Sequence, residues 1–335
     1  MSSSADTQTL STQVGGHVNG VATTDDNSLL IKAALPVELK FYQTMASAAE
    51  PQYDALRPFI PKFIGTLSLQ GELDTDKPPT EGSINVKPIE IDGEKKDEFS
   101  PQSIVLENLS YLFLKPNILD VKLGTVLYDD SAPPDKVARM IKKAETTTTG
   151  KTGIQLTGFQ VYNNSTNEAV HTSKAYGKSI SPKQLPEGIA RFFPIATKEA
   201  PEQGLPASLL LQILELLRED VADIRDAFAA LEMRMVGGSL LILYESDPAC
   251  AEEGLKSLKD EDEEEDEDED EDEDDEDENN PNKLAKPHPP YDVRLIDFAH
   301  TRFVPGEGPD QGVLLGFKTL LGLLDERIAA VRTCV

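Results

Sequence analysis

A run of nineteen consecutive Asp and Glu residues, from Asp260 to Glu278, constrains this chain more than any other feature. Like charges at that density repel one another and have no place in a core, so the run reads as a solvated, unfolded insertion. It lies between two apolar strand signals, 239–244 and 291–298, which must close on each other across a disordered acidic insertion spanning 252–288. The run also explains most of the net charge of −28: without it, 41 acidic residues face 32 basic ones. That remainder is ordinary for a soluble protein, so a broad cationic surface and direct nucleic-acid binding are not expected, although a local basic pocket remains open. The run itself is either bland solvated loop or a docking element for basic nuclear proteins such as histones or transcription factors.

With 335 residues, 39% of them hydrophobic, the chain can form one large two-lobed domain or two tightly joined ones. Two cysteines, Cys250 and Cys334, make no disulfide framework and fit a reducing compartment. Residues 1–27 are polar, without a basic n-region or apolar h-region, and read as a disordered tail rather than a secretory signal. No apolar stretch approaches the roughly 20 residues of a membrane span, so stable membrane insertion is not expected. The expected location is nucleus and cytoplasm.

Two regions differ in pattern. Residues 28–109 read as a small strand-rich lobe: a short strand at 28–32, a helix opened by Pro36, strands at 59–69 and 103–109, and a long Pro- and charge-rich loop over 70–100 with one strand at 84–91. Residues 110–335 form a larger lobe. Its signals are a half-buried strand over 117–124, a basic helix over 133–147, a hairpin of 157–162 with 170–176, and a long amphipathic region over 205–235 broken near Asp220. The two apolar strands around the acidic run and a Leu-rich helix over 312–331 complete it.

Gly150-Lys151-Thr152 imitates the end of a P-loop, but the position that needs the first glycine is Glu145. Nor is there a Gly-rich dinucleotide fingerprint, a protein-kinase catalytic loop or a Cys/His metal cluster. The informative segments are three strands. In Pro116-Asn-Ile-Leu-Asp-Val-Lys-Leu-Gly124, Asp120 and Lys122 are two apart and share a face. By spacing alone they are either a device for holding a hydroxyl and a phosphate oxygen together or a surface ion pair. In Leu295-Ile-Asp-Phe-Ala-His300, Asp297 ends an apolar strand, where it is either a Mg²⁺ ligand or a turn cap. The strand starting at Gly238 either approaches a nucleotide or is plain core.

Together these segments resemble the inositol polyphosphate kinase family. The first matches the P-x-x-x-D-x-K-x-G signature, the segment from Gly238 is similar to the S-S-L-L element with its first Ser replaced, and the third resembles I-D-F-A-H. The likeness runs in order from about Leu29 to Leu324. It implies an α+β, two-lobed fold like that of protein kinases and ATP-grasp enzymes, with ATP and Mg²⁺ as cofactors in the interlobe cleft and inositol polyphosphates as substrates. Lys32 then pairs with the ATP phosphates. Glu107 and Leu109 meet adenine through backbone groups, with Asn108 between them. Asp297 holds the metal, and Asp120 sits where the substrates meet, as a contact or proton acceptor. Lys122 touches the inositol phosphate or the migrating phosphoryl group.

The resemblance also places an inositol-phosphate-binding helix within 130–150. Lys136, Arg139 and Lys143 recur at i, i+3 and i+7, and Met140 matches a position lining the substrate site. Lys174 and Lys178 flank Tyr176-Gly177, where the family has a Y-G-R-like element, and His300 sits against the inositol ring. Only 33 residues separate Gly124 from Gly158, room for a single-helix lip. Dedicated trisphosphate 3-kinases carry a larger helical lobe that encloses one isomer, so the short lip implies a multikinase. The alternatives are a hexakisphosphate kinase and a non-catalytic transcription-complex scaffold.

Overall fold

The computed structural model describes residues 8–9, 21–68, 72–73, 86–87, 102–268 and 288–335. Within them the chain forms two five-stranded antiparallel sheets, one to each lobe and the smaller lobe's edged by Gln8–Thr9 outside Val21–Thr23, together with two two-stranded ribbons. In the small lobe β1 (Val21–Thr23), β2 (Leu29–Ala33), β3 (Phe63–Ser68) and β4 (Gln102–Glu107) follow the order β1-β2-β4-β3, with helix α1 (Pro36–Ser47) against them. Pro36 starts α1 because a proline in the first turn gives up an N–H that would be unpaired there anyway. Val21–Thr23 belongs to the segment expected to be tail. It is ordered because Val21 pairs with Lys32 and extends the sheet edge. Of the strand expected at 84–91, only Val86–Lys87 lies among the described residues.

The large lobe is built on β5 (Pro116–Leu123), the basic helix α2 (Pro134–Thr146) and the hairpin β6 (Ile154–Asn163) with β7 (Glu168–Thr172). After these come α3 (Lys174–Ser179), α4 (Leu185–Phe192), α5 (Ala207–Ala229), β8 (Met233–Met235) and β9 (Ser239–Glu245). The chain closes with α6 (Pro248–Asp268), β10 (Tyr291–Ile296), β11 (Thr301–Phe303) and α7 (Gln311–Arg332). The sheet order is β7-β6-β5-β9-β10, so β5 with Asp120 and Lys122 lies between two partners. α5 and α7 pack together, and Leu214, Leu217, Phe317 and Leu320 join one continuous core with Leu119, Val121 and Leu240 of the sheet.

Three expectations are corrected. The second hairpin strand stops at Thr172; Lys174, Tyr176 and Lys178 stand on helix α3 instead. Gly177 makes that possible, since a Cβ there would fall 1.6 Å from the Leu156 carbonyl oxygen of β6. The long helix does not break near Asp220. Leu210, Ile213, Leu214, Leu217, Val221 and Ile224 form an unbroken buried stripe, and Asp220 is accommodated by a hydrogen bond with Tyr291. Burial pushes the Asp220 carboxyl above its ordinary pKa. Finally, the insertion expected to be disordered from 252 continues as helix to Asp268. Ala251 and Leu255 dock its first turns into the core, and a nucleated helix propagates at little further cost.

Asp220→Pro tests the continuity of α5. A proline inside an intact helix costs about 3 kcal/mol or more, so the urea midpoint should fall sharply; at a break it would move little.

Candidate active site

The two lobes meet at Lys32. Its Nζ, near the end of β2, donates to Glu38 Oε1 at 2.9 Å and to Asp297 Oδ1 at 2.8 Å. Glu38 comes from the first turn of α1, where the helix dipole favours a carboxylate, and is only 1% exposed. Burial works against the Lys32 ammonium, but the charges of Asp297 and Glu38 outweigh it and raise its pKa. Burial likewise pushes the Glu38 carboxyl up, with Lys32 opposing. Sequence reasoning singled out Lys32 and Asp297 but missed Glu38. The available signal was a glutamate in the first turn after the lysine strand, the strand-lysine and helix-glutamate pair of protein kinases.

Asp297 follows β10 with φ of 66°, left-handed backbone that few non-glycine residues adopt. Phe298 holds it there: this fully buried ring stacks on Phe41 of α1 at 4.0 Å and meets Tyr42 edge-on at 5.6 Å. Asp120 lies on β5 opposite Gly158 and Leu241, at a register irregularity before Val121. Burial raises its pKa, Lys122 opposes, and the Asp297 charge adds to the rise. Asp120 Oδ1 and Ser239 Oγ are buried with no hydrogen-bond partner among the described residues. These oxygens are hard donors. No three His, Cys, Asp or Glu converge as a metal site among the described residues, so the set fits a divalent cation held by one or two carboxylates plus ligand phosphates.

The expected hinge has two committed backbone donors. Glu107 N–H donates to the Lys62 carbonyl at 3.1 Å, and its carboxylate accepts from Lys62 N–H at 2.8 Å. Asn108 is buried and turned inward, its N–H on the Ser28 carbonyl and its Nδ2 on the Asn27 carbonyl. Asn108 therefore shapes the hinge with its side chain. Leu109, half-buried beside Phe113, Ile118 and Leu243, follows it.

Lys122, Lys143, Lys174 and Lys178, from β5, α2 and α3, form one electrostatic cluster. Burial and then the charges of Lys122, Lys178 and Lys174 depress the Lys143 pKa. Lys122 Nζ donates to the Gly237 carbonyl at 2.5 Å. The other expected residues of α2 separate. Lys136 lies near Asp129, whose Oδ2 takes His300 Nδ1 at 2.9 Å, and Arg139 is exposed. Met140 lines a small apolar groove with Val126, Leu127, Tyr128 and Ala144. Asp129 escaped the sequence reading; Asp129-Asp-Ser131 carried only an ordinary turn signal.

A lysine gripped by a helix glutamate and a strand-end aspartate, between two sheet-based lobes, defines a kinase-like phosphotransferase scaffold. The chain belongs to the inositol polyphosphate kinase family, whose profile matches residues 103–325. It is similar to the inositol polyphosphate multikinase of Saccharomyces cerevisiae, with 31% identity covering 93% of this chain and 96% of that protein. Inositol hexakisphosphate kinase 3 of Mus musculus is 29% identical over 66% of this chain, which spans only 50% of that relative. Among solved structures, the S. cerevisiae inositol phosphate multikinase in complex with ADP and Mn²⁺ superposes with a TM-score of 0.59 and 26% identity, covering 90% of this chain and 99% of that one. The two-lobed α+β fold expected from sequence is the one observed.

Lys32→Met should leave Glu38 buried without its cation, at a cost of about 3–5 kcal/mol near neutral pH. A carboxyl with a raised folded pKa binds more protons folded than unfolded. Stability should therefore return as pH falls toward the ordinary glutamate range and be lost as it rises through the folded pKa. Thermal melts of the variant across mildly acidic to neutral pH, beside the parent chain, measure this.

Proposed function

We propose that this chain is an ATP-dependent inositol polyphosphate kinase of the multikinase type. It phosphorylates hydroxyls of soluble inositol polyphosphates, carrying a trisphosphate to tetrakis- and pentakisphosphate. One observation supports the reading above the rest: Lys122 of β5 and Lys174 and Lys178 of α3 gather round the half-buried Lys143 of α2, whose pKa is depressed by burial and then by those three charges. Such a concentration of like charge is destabilising in isolation and suits a small, densely anionic ligand.

In this reading Lys32 binds ATP phosphates and the backbone of Glu107 and Leu109 takes adenine. Asp297 would hold Mg²⁺, which would supply positive charge against the ATP phosphates. Lys122 stabilises charge on the migrating group. Asp120, its pKa raised by burial, is a contact or proton acceptor for the attacking hydroxyl. Lys143, Lys174 and Lys178 hold the substrate phosphates, with Lys136, Arg139 and His300 at the rim. Lysine at 178 offers a point charge where an arginine would give a bidentate fork. The acidic run recruits basic nuclear proteins or transcription factors, which fits a protein shared between nucleus and cytoplasm.

Incubation with Mg-ATP and a panel of inositol tris-, tetrakis-, pentakis- and hexakisphosphates, resolved by chromatography, tests the function. A trisphosphate carried to pentakisphosphate with little pyrophosphate is expected. Consumption of hexakisphosphate with the trisphosphate untouched would replace the reading with a pyrophosphate-forming kinase.

Asp297→Asn should abolish phosphoryl transfer in a chain that still folds, with a modest fall in melting temperature from the lost Lys32 ion pair, since a neutral amide of the same size replaces a hard anionic ligand. Near-parental turnover would remove Asp297 from the metal site. Lys143→Ala should raise KM for inositol phosphate far more than KM for ATP, by roughly tenfold or more for a charge-assisted contact worth about 1.5–3 kcal/mol. A bound polyanion restores the Lys143 pKa, so binding takes up a proton. In the parent enzyme KM for inositol phosphate should therefore climb with pH on the alkaline side, below the ordinary lysine value, and Lys143→Ala should flatten that climb.

A further inference from the structure

His300 and Asp129 form a pair that the reaction outlined above leaves without a purpose. His300 sits three residues beyond Asp297, in the turn before β11, and its carbonyl accepts from Val236 N–H at 3.3 Å. The next residue but one in that facing segment, Gly238, opens β9, and the Gly237 carbonyl between them holds Lys122 Nζ. The imidazole is therefore tied by its backbone to the same turn that holds the substrate-site lysine. Its ring is 40% exposed and meets Asp129 Oδ2 through Nδ1 at 2.9 Å.

Asp129 is itself immobilised. Its Oδ1 accepts from Ser131 N–H at 3.0 Å and from Ser131 Oγ at 2.6 Å, leaving Oδ2 for the histidine. The Ser131 hydroxyl, with His300 and Lys136 assisting against partial burial, lowers its pKa, so the carboxylate is ionised and only accepts. A ring nitrogen facing it must carry hydrogen. The charged groups around the pair are Lys136 on α2 and the neighbouring Arg302–Asp130 ion pair.

We propose that Asp129 is a positioning residue of the phosphoryl-transfer site: it locks His300 in one rotamer and in the Nδ1–H tautomer, so that Nε2 is presented as a hydrogen-bond acceptor to a hydroxyl of the bound inositol ring. This rests on the inositol phosphate kinase reading. The logic is that of the carboxylate that orients an imidazole in hydrolase triads, where the wrong tautomer, not lost geometry, costs activity. Because Asp129 precedes α2, the same carboxylate couples the Asp297 turn to the start of the basic helix.

Asp129→Asn, His300→Gln and their double variant in the full chain test the proposal, with Ser131→Ala as a milder loosening of Asp129. In Asp129→Asn, kcat/KM for inositol trisphosphate should fall by up to roughly tenfold, the scale of one lost hydrogen bond, with KM for ATP unchanged. Ser131→Ala should move it in the same direction by less. The double variant should be no worse than His300→Gln alone, because Asp129 acts through the ring. Nitrogen-15 imidazole NMR, with the His300 signal assigned by its loss in His300→Gln, should show the Nδ1–H form in the parent. It should show a mixed tautomer in Asp129→Asn. Unchanged tautomer and kinetics in Asp129→Asn, or a full additional loss in the double variant, would overturn the proposal. A parent chain inactive on every inositol phosphate would overturn the functional reading instead, while the NMR measurement would still report on the pair.

Discussion

The structure depends on one cation held by two carboxylates from different lobes. Lys32 belongs to the small-lobe sheet, Glu38 to its helix and Asp297 to the end of a large-lobe strand. Neither carboxylate could be so placed without it: Glu38 is almost wholly buried, and Asp297 sits in left-handed backbone. The buried stack of Phe298 on Phe41 supplies the apolar half of the same junction. Burying Phe298 fixes α1 against the Asp297 turn, and that docking sets the distance at which Lys32 can reach both partners. Packing and electrostatics thus specify one arrangement of the lobes, and that arrangement leaves Lys32 and Asp297, the more exposed members, facing the cleft.

The second constraint is a deliberate local conflict. Four lysines drawn together from β5, α2 and α3 repel one another, and Lys143 shows the effect in a depressed pKa. The fold sustains this because rigid parts enforce it: α3 lies against β6 only through Gly177, and β5 is paired on both sides. A site built this way binds its anion with little reorganisation, since the repulsion that opposes folding is relieved when phosphates enter. Asp120, buried with one oxygen unpartnered, belongs to the same economy of strain.

Much of this was legible in the chain before any coordinates. The strand under Asp120 and Lys122, the strand-end Asp297 and the proline-started helix are local signals that the fold keeps, although that strand is buried on both faces rather than half-buried as its alternation suggested, because it lies between two sheet partners. What failed was non-local. Asp220 looked like a helix break because a charge interrupts the stripe, but Tyr291, seventy-one positions on, supplies its partner. Val21–Thr23 looked like tail because only pairing with Lys32 orders it. Glu38 was missed although its place in the first turn after the lysine strand was a signal; its burial was not legible, because it comes from the docking of α1. Met140 falls on the helix face of Lys136 and Lys143, and the apolar groove it lines with Val126 and Tyr128 could not be read from spacing.

The acidic run poses a physical difficulty for an enzyme whose substrates are anions, and the sheet register resolves it. β9 and β10 pair from Ser239 with Ile296, beside Lys122 and Asp297, to Tyr244 with Tyr291. The insertion leaves after Glu245 and returns at Tyr291, so it emerges from the end of the strand pair remote from the catalytic turn. Five residue steps at about 3.4 Å each place roughly 17 Å between the two ends. That is about twice the ~8 Å screening length at physiological ionic strength. Helix α6 lengthens the separation: its docked turns at Ala251 and Leu255 come first, and the acidic block starts only at Asp260. The points where the acidic segment joins the sheet thus lie about two screening lengths from the lysine cluster. A strand pair of ordinary length is enough to let one chain carry a strongly negative segment and a strongly positive pocket together.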